Sequence, residues 1–289
     1  MKSRHFYLGC PVWSCPHWRG TVYSPRATQK RWLAEYSNTF NTVEGNSTFY
    51  GIPSNETFSR WADETADDFK FALKFPRVVS HDHELVGAEL ETDLFLEGLG
   101  IIKDAGKLGP TFLQLSPTFA PAKFKQLVRF LKSLPVQFPY AVEVRHHGFF
   151  DDPIESELND LLSEHSIDRV IFDSRPLFSA APTDEIEEVS QKRKPRSPIR
   201  TTVTGTRPML RLVGRNDLTT VQPWIDEWCK VIAGWIDDGL KPFVFTHAPD
   251  DQFAPEFARM FHNSLSEQVK QLEQYRWQYE PPKQQLNLF

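Results

Sequence analysis

Short apolar runs alternate with longer amphipathic stretches along nearly the whole chain. Residues 6–13 read as a first strand, and over residues 28–40 Trp32, Tyr36 and Phe40 recur at the spacing that lines one face of a helix. Further strands are expected at 42–49, 69–75, 111–115, 140–146, 170–174, 209–213 and 243–247. Helical patterns occupy 90–105, 122–134, 154–165, 221–238 and 253–273. Ser54 supplies an N-cap ahead of Phe58 and Trp61, although Thr57 stands where a capping box would place Glu or Gln. Repeated strand–helix alternation calls for parallel strands joined by crossover helices. Eight such units in 289 residues suit a single-domain (β/α)8 TIM barrel better than an open doubly wound sheet. No G-x-G-x-x-G or Walker A string supports the open-sheet alternative.

Most of these strands carry a charge or an amide where a buried strand should be apolar. Alternation puts Glu44, Asn46 and Thr48 on one face of strand two, and Glu143 and Arg145 on one face of strand five. Strand three adds Lys74, strand four Gln114, strand six Asp173, strand seven Arg211 and strand eight His247. Ionised groups are rarely buried without partners, so the set implies one shared polar pocket at the C-terminal mouth. Its charges balance, Glu44, Glu143 and Asp173 against Lys74, Arg145 and Arg211, with His247 able to tip them. A structural ion-pair network is the plain alternative, but buried pairs add little over packed apolar residues.

The rhythm breaks between strands six and seven. Residues 176–208 hold an acidic turn (Asp184, Glu185, Glu187, Glu188) followed by K-R-K-P-R-S-P-I-R, a length usually functional or mobile inside a compact domain. This connection emerges at the C-terminal face, bringing Lys192, Arg193, Lys194, Arg196 and Arg200 near the rim.

Several strings together resemble the YecE-like family, a bacterial domain of unknown function with a TIM-barrel fold. They are V-E-G-N-S-T-F-Y (43–50), F-A-L-K-F-P (71–76), L-Q-L-S-P (113–117), V-E-V-R-H (142–146) and R-V-I-F-D-S-R (169–175). The likeness runs from Phe6 to His262, and the opening G-C-P-V-W-S-C-P-H-W resembles the family's glycine–tryptophan strand apart from its two cysteines. The resemblance implies the fold and brings no activity.

Composition narrows the class further. Hydrophobic residues make up 40% and aromatics 13%, enough for a large core. With 33 basic and 38 acidic side chains the formal charge is -5, so any polyanion contact must be local. No apolar stretch approaches the roughly 18 residues of a membrane span, and Gly9 and Pro11 interrupt any secretory core, which points to the cytoplasm. Cys10, Cys15 and Cys229 lack metal spacing and are expected to be reduced, non-catalytic thiols.

Three functions fit these residues. In the first, a phosphorylated substrate, nucleic acid included, is hydrolysed or rearranged: Glu143 or Glu44 acts as base or holds a divalent ion, and Lys74, Arg145 and Arg211 stabilise negative charge. Arg211 and Arg215 sit at or beyond strand seven, where barrels seat phosphate. His247 with Asp173 and the two glutamates would form a mixed metal site, and His81 and His83 lie in a nearby loop. Asn46 and Gln114 complete the catalytic set, while Trp13, Trp18 and Tyr50 are placed to stack a base or sugar. In the second, a desolvated Lys74 forms a Schiff base with a carbonyl substrate. The third is a binding protein without chemistry.

Residues 1–275 are read as the barrel domain and 276–289 as a flexible tail after Pro281 and Pro282. The terminal Q-L-N-L-F resembles the pentapeptide by which bacterial replication and repair proteins dock on the DNA sliding clamp. Gln285 would be the polar anchor, and Leu286, Leu288 and Phe289 the apolar contacts.

Overall fold

The computed structural model describes residues 6–270 and Leu272. Eight parallel strands follow one another as expected: β1 (Tyr7–Gly9), β2 (Thr42–Gly45), β3 (Lys70–Leu73), β4 (Thr111–Gln114), β5 (Tyr140–Glu143), β6 (Asp168–Asp173), β7 (Met209–Val213) and β8 (Phe243–His247). The intervening helices are α1 (Trp32–Thr39), α2 (Ser47–Tyr50), α3 (Asn55–Glu64), α4 (Glu89–Asp104), α5 (Phe124–Ser133), α6 (Ile154–Glu164), α7 (Glu185–Arg193), α8 (Gln222–Asp237) and α9 (Ala254–Gln268). The Trp32–Tyr36–Phe40 stripe is buried, and the Ser54 hydroxyl accepts the Thr57 amide at the start of α3.

The strands form a curled six-stranded parallel sheet, β1-β8-β7-β6-β5-β4, and a separate parallel pair, β2-β3. The continuous eight-stranded ladder expected of a closed barrel is therefore not present, and the reason is local at each seam. Between β1 and β2, side chains do much of the bonding. The Tyr36 hydroxyl takes the Cys10 amide (2.8 Å) and donates to the Thr42 carbonyl (3.0 Å), while Asn41 bonds the Leu8 amide and the Phe6 carbonyl. One direct backbone bond, Glu44 N–H to Cys10 O at 3.1 Å, completes the seam. Between β3 and β4, pairing shrinks to isolated bridges at Phe71–Leu108 and Lys74–Phe112, on either side of Pro110, which has no N–H to donate.

The second strand also stops sooner than its composition suggested. At Gly45 the chain turns into α2, and the Thr48 hydroxyl, expected on the inner face, donates to the carbonyls of Gly45 (3.0 Å) and Lys74 (2.6 Å).

Inside the sheet the strands contribute two layers. Ala72, Phe112, Ala141, Val170, Met209 and Phe245 are buried in an apolar lower layer, with Tyr7 stacked on Phe243 at 4.3 Å. Two residues further along the same strands come Lys74, Gln114, Glu143, Phe172, Arg211 and His247. Because side chains alternate, this pairing places a polar layer above an apolar floor. The 176–208 connection is ordered around α7 rather than forming a turn and a basic loop; Asp184 accepts the Glu187 amide at 2.8 Å as its N-cap. All three cysteines are free and buried, and no helix among the described residues is long and apolar enough to cross a membrane.

Candidate functional site

Arg211 is the centre of the polar layer. Its guanidinium grips Glu44 through Nε–Oε2 (2.8 Å) and Nη2–Oε1 (2.7 Å), and reaches Glu143 Oε2 with Nη1 (2.6 Å). A planar fork suits carboxylates in this way, and all three side chains are buried. The rings of Phe112 and Phe172 each lie 5.3 Å from the guanidinium carbon. Arg145 Nε bonds the other oxygen of Glu143 at 2.7 Å. Asn46 Nδ2 and His247 Nε2 approach Glu44 at 2.7 and 3.0 Å, so Asn46 joins the site although its strand has ended. Lys74 donates to Gln114 Oε1 at 2.9 Å, with its ammonium 3.8 Å above the Phe49 ring. Lys194, delivered by the connection after α7, lies 6.0 Å from the Phe172 ring.

The electrostatics follow from burial against charge. Burial alone would raise both glutamates, but Arg211 outweighs it, holding Glu44 well below the usual carboxylate range and Glu143 at about 2. Both are therefore ionised at neutral pH. Burial lowers His247 to about 4 against the pull of Glu44, so the imidazole is neutral. Burial, then repulsion from Arg211, brings Lys74 down to about 7 and Lys194 to about 8. His81, half-buried with its ring edge-on to Phe49, falls to about 4 by burial and the nearby Lys74 and Arg145. Glu44 and Glu143 are matched by Arg211 and Arg145. The two lysines are a surplus, and neither makes a salt bridge among the described residues.

A family model described as "Protein of unknown function DUF72" matches residues 7–285. The chain belongs to the DUF72 family. It is 36% identical over 268 residues to UPF0759 protein YecE of Escherichia coli (strain K12), covering 92% of this chain and 94% of that protein. The YecE-like resemblance carried by the strand motifs is thus correct. A crystal structure of a DUF72 family protein from Enterococcus faecalis V583 superposes with a TM-score of 0.68 at 19% identity, over 92% of this chain and 99% of that one. Another from Thermotoga maritima MSB8 gives 0.66 at 22% identity, over 91% and 100%. At these identities the likeness is one of fold.

In this DUF72 member not every residue expected at the pocket reaches it. Asp173 does not: on β6 Val170 and Phe172 face inward, so Asp173 points to the helix layer. There it accepts the Arg175 amide (2.9 Å) and guanidinium (2.8 Å) and the Trp228 indole N–H (2.8 Å). Arg215 is also absent from the pocket. It bonds Glu187 at 2.8 Å and the Ala181 carbonyl at 2.9 Å, while the Asn216 backbone N–H donates to the second Glu187 oxygen. These contacts clasp α7 to the loop after β7. Tyr50 is 82% exposed and meets Phe49 edge-on, and Trp18 is core. The expected mixed metal set fails with Asp173, and no group of three or more His, Cys, Asp or Glu among the described residues is arranged to hold a metal.

The basic run is largely engaged elsewhere. Lys192 pairs with Glu188, Arg200 with Glu155 at 2.9 Å, and Arg196 stacks over Phe178. Lys194 alone of this run joins the pocket, together with Phe49 and Phe172, which the strand pattern did not single out. The signal for Lys194 was its place in a long connection from a strand's C-terminal end. Trp13 stands edge-on to Trp61 at 5.1 Å beside an open cleft of about 690 Å³, whose inner lining includes Glu44 and Asn46. Gln285, Leu286, Leu288 and Phe289 lie outside the described residues.

Proposed function

We propose that the eight strands work as one (β/α)8 barrel, and that the polar layer at their C-terminal ends binds and acts on a phosphate-bearing substrate. The carrying observation is a pair of lysines at the pocket, Lys74 buried and Lys194 half-buried, that make no salt bridge among the described residues. Lys74 and Lys194 are lowered to about 7 and about 8, first by burial and then by repulsion from Arg211 and Arg145, which outweighs the pull of Glu44 and Glu143. A phosphate beside them would supply the missing negative charge and favour their protonated forms. Arg145, half-buried, is the third group placed to meet it. Glu44 and Glu143 act in this reading as the rigid counter-charges that aim Arg211 and Arg145, and the neutral His247 and His81 are the candidate proton carriers. Titration calorimetry with methyl phosphate tests the reading. Millimolar or tighter binding in the wild type that weakens at least tenfold in Lys194→Met supports it, and no detectable binding sinks it.

Phosphodiester hydrolysis in DNA metabolism is a narrower form of this reading. It rests on the terminal pentapeptide, because most of the basic run is paired within the fold. Recovery of the sliding clamp on wild-type protein but not on Leu288→Ala/Phe289→Ala is the expected outcome; equal recovery by both retires this form.

A second reading is favoured by one observation. An amine lowered to about 7, as Lys74 is, has a substantial neutral fraction at physiological pH and suits imine formation with a carbonyl substrate. Borohydride treatment with small aldehydes and keto acids, followed by peptide mass spectrometry, should then place an adduct on Lys74. Its absence removes this reading.

A further inference from the structure

The cleft beside Trp13 is separate from the apolar floor of the sheet but ends on the charged network. Glu44 and Asn46 line its inner end, and these are two of the side chains that tie Arg211 and His247 together. One wall carries Trp13, half-buried and held edge-on to the buried Trp61 at an interplanar angle of 76°. Leu33 and Val12 extend the apolar lining. The outer rim carries Lys30 and Arg60, both exposed and unpaired among the described residues, with Glu64 partly offsetting them. At about 690 Å³ the space falls within the range of small-molecule sites, which combine apolar walls with a few placed polar groups.

We propose that this cleft is the subsite for a flat aromatic or heteroaromatic ring, so that the substrate is a phosphate ester carrying such a ring. The inference rests on the phosphate reading of the neighbouring cations and adds the chemistry of the rest of the molecule. The ring packs against the Trp13 indole, whose quadrupole favours offset or edge-to-face contact. At the inner end both Asn46 amide hydrogens are spent on Pro11 and Glu44, and Glu44 is ionised, so Asn46 Oδ1 and Glu44 act as acceptors for donor groups on the ring or its linker. The phosphate continues toward Lys74, Lys194 and Arg145, and the rim cations keep the outer mouth attractive to anions.

The test compares two small esters, methyl phosphate and phenyl phosphate, by calorimetry on the full chain. Phenyl phosphate is expected to bind at least tenfold tighter. Ser14→Trp, which fills the cleft from a solvent-exposed position without disturbing the core, should remove most of that ratio. Trp13→Leu should do the same, and Lys194→Met should weaken both esters while leaving the ratio in place. Equal affinities in the wild type, or a ratio that survives Ser14→Trp, overturns the ring subsite while the phosphate reading stands. Failure of both esters to bind the wild type overturns the phosphate reading, and the ring subsite with it.

Discussion

Arg211 shows most clearly how one side chain organises the site. It is the shared partner of two buried carboxylates, so its removal leaves Glu44 without an arginine and Glu143 with Arg145 alone. Arg211→Met is expected to destabilise the fold by roughly 3–5 kcal/mol, the range for breaking a buried ion pair from one side. The pH dependence gives a distinguishing signature. In the wild type Glu143 sits at about 2, below its unfolded value, so its contribution is present above about 4.5 and lost as pH falls through about 2. In the variant Glu44 loses its arginine and Glu143 keeps only Arg145, so both pKa values rise and the stability deficit shrinks as pH falls. Urea denaturation at pH 7.0 and about pH 5 reads both effects; a deficit that is small or independent of pH contradicts the account. Asp168 at the other end of the sheet behaves in the opposite sense. It is buried, its Oδ2 has no hydrogen bond and only a 3.6 Å ion pair with Arg207 Nε, and burial raises it from 3.8 to about 6 despite that arginine. The folded state therefore holds this proton more tightly, and its favourable contribution is lost as pH rises from about 4 to about 6. Asp168→Asn should flatten that slope and gain on the order of 2–3 kcal/mol at pH 7, as measured by denaturant midpoints across the range. An unchanged slope would show that other groups cause it.

At the scale of elements, α7 is the device that carries Lys194 to the pocket. The helix is short, and its hold on the sheet is polar: Glu187 takes Arg215, the Asn216 amide and the Thr183 amide, and Asp184 takes the Asn216 side chain at 2.8 Å. Ser174 fixes the far side by donating to the Pro195 carbonyl at 2.6 Å. Glu187→Ala is expected to release the helix without melting the barrel. Amide exchange over 183–195 should accelerate at least tenfold and methyl phosphate affinity should fall, while the midpoint of global unfolding shifts little. Unchanged exchange in that segment would show that the clasp does not position Lys194.

At the scale of the whole molecule, a chain with a formal charge of -5 keeps a locally positive pocket. Anion binding should therefore depend on the state of Lys74 and Lys194 more than on bulk charge. Affinity for methyl phosphate is expected to fall as pH rises through about 7 to about 8, with proton uptake on binding near neutral pH. Calorimetry in buffers of different ionisation heat measures that uptake directly, and its absence would place the phosphate away from the lysines.

The pattern of apolar and polar positions by itself determined the eight strands, most of the helices between them (not α2 or α7) and most of the polar layer. Lys74, Gln114, Glu143, Arg211 and His247 were legible because each follows an inward apolar residue by two on a parallel strand, and Glu44 because it interrupts a strand-like run in the same way, two after Thr42. Asp173 was not legible, because alternation leaves open which face of a strand turns inward. Phe172 won that place, and the outward carboxylate found Arg175 beside it and Trp228, 55 residues away, across the helix layer. The same holds for Arg215 and Lys194, both cations near one rim in the sequence. Tertiary structure alone paired the first with Glu187 and left the second facing the pocket. It also decided that Tyr36 and Asn41 stitch β1 to β2 in place of a backbone ladder. Local periodicity is set by covalent geometry and is visible along the chain, whereas the partner of a buried charge depends on what long-range packing brings within about 3 Å of it.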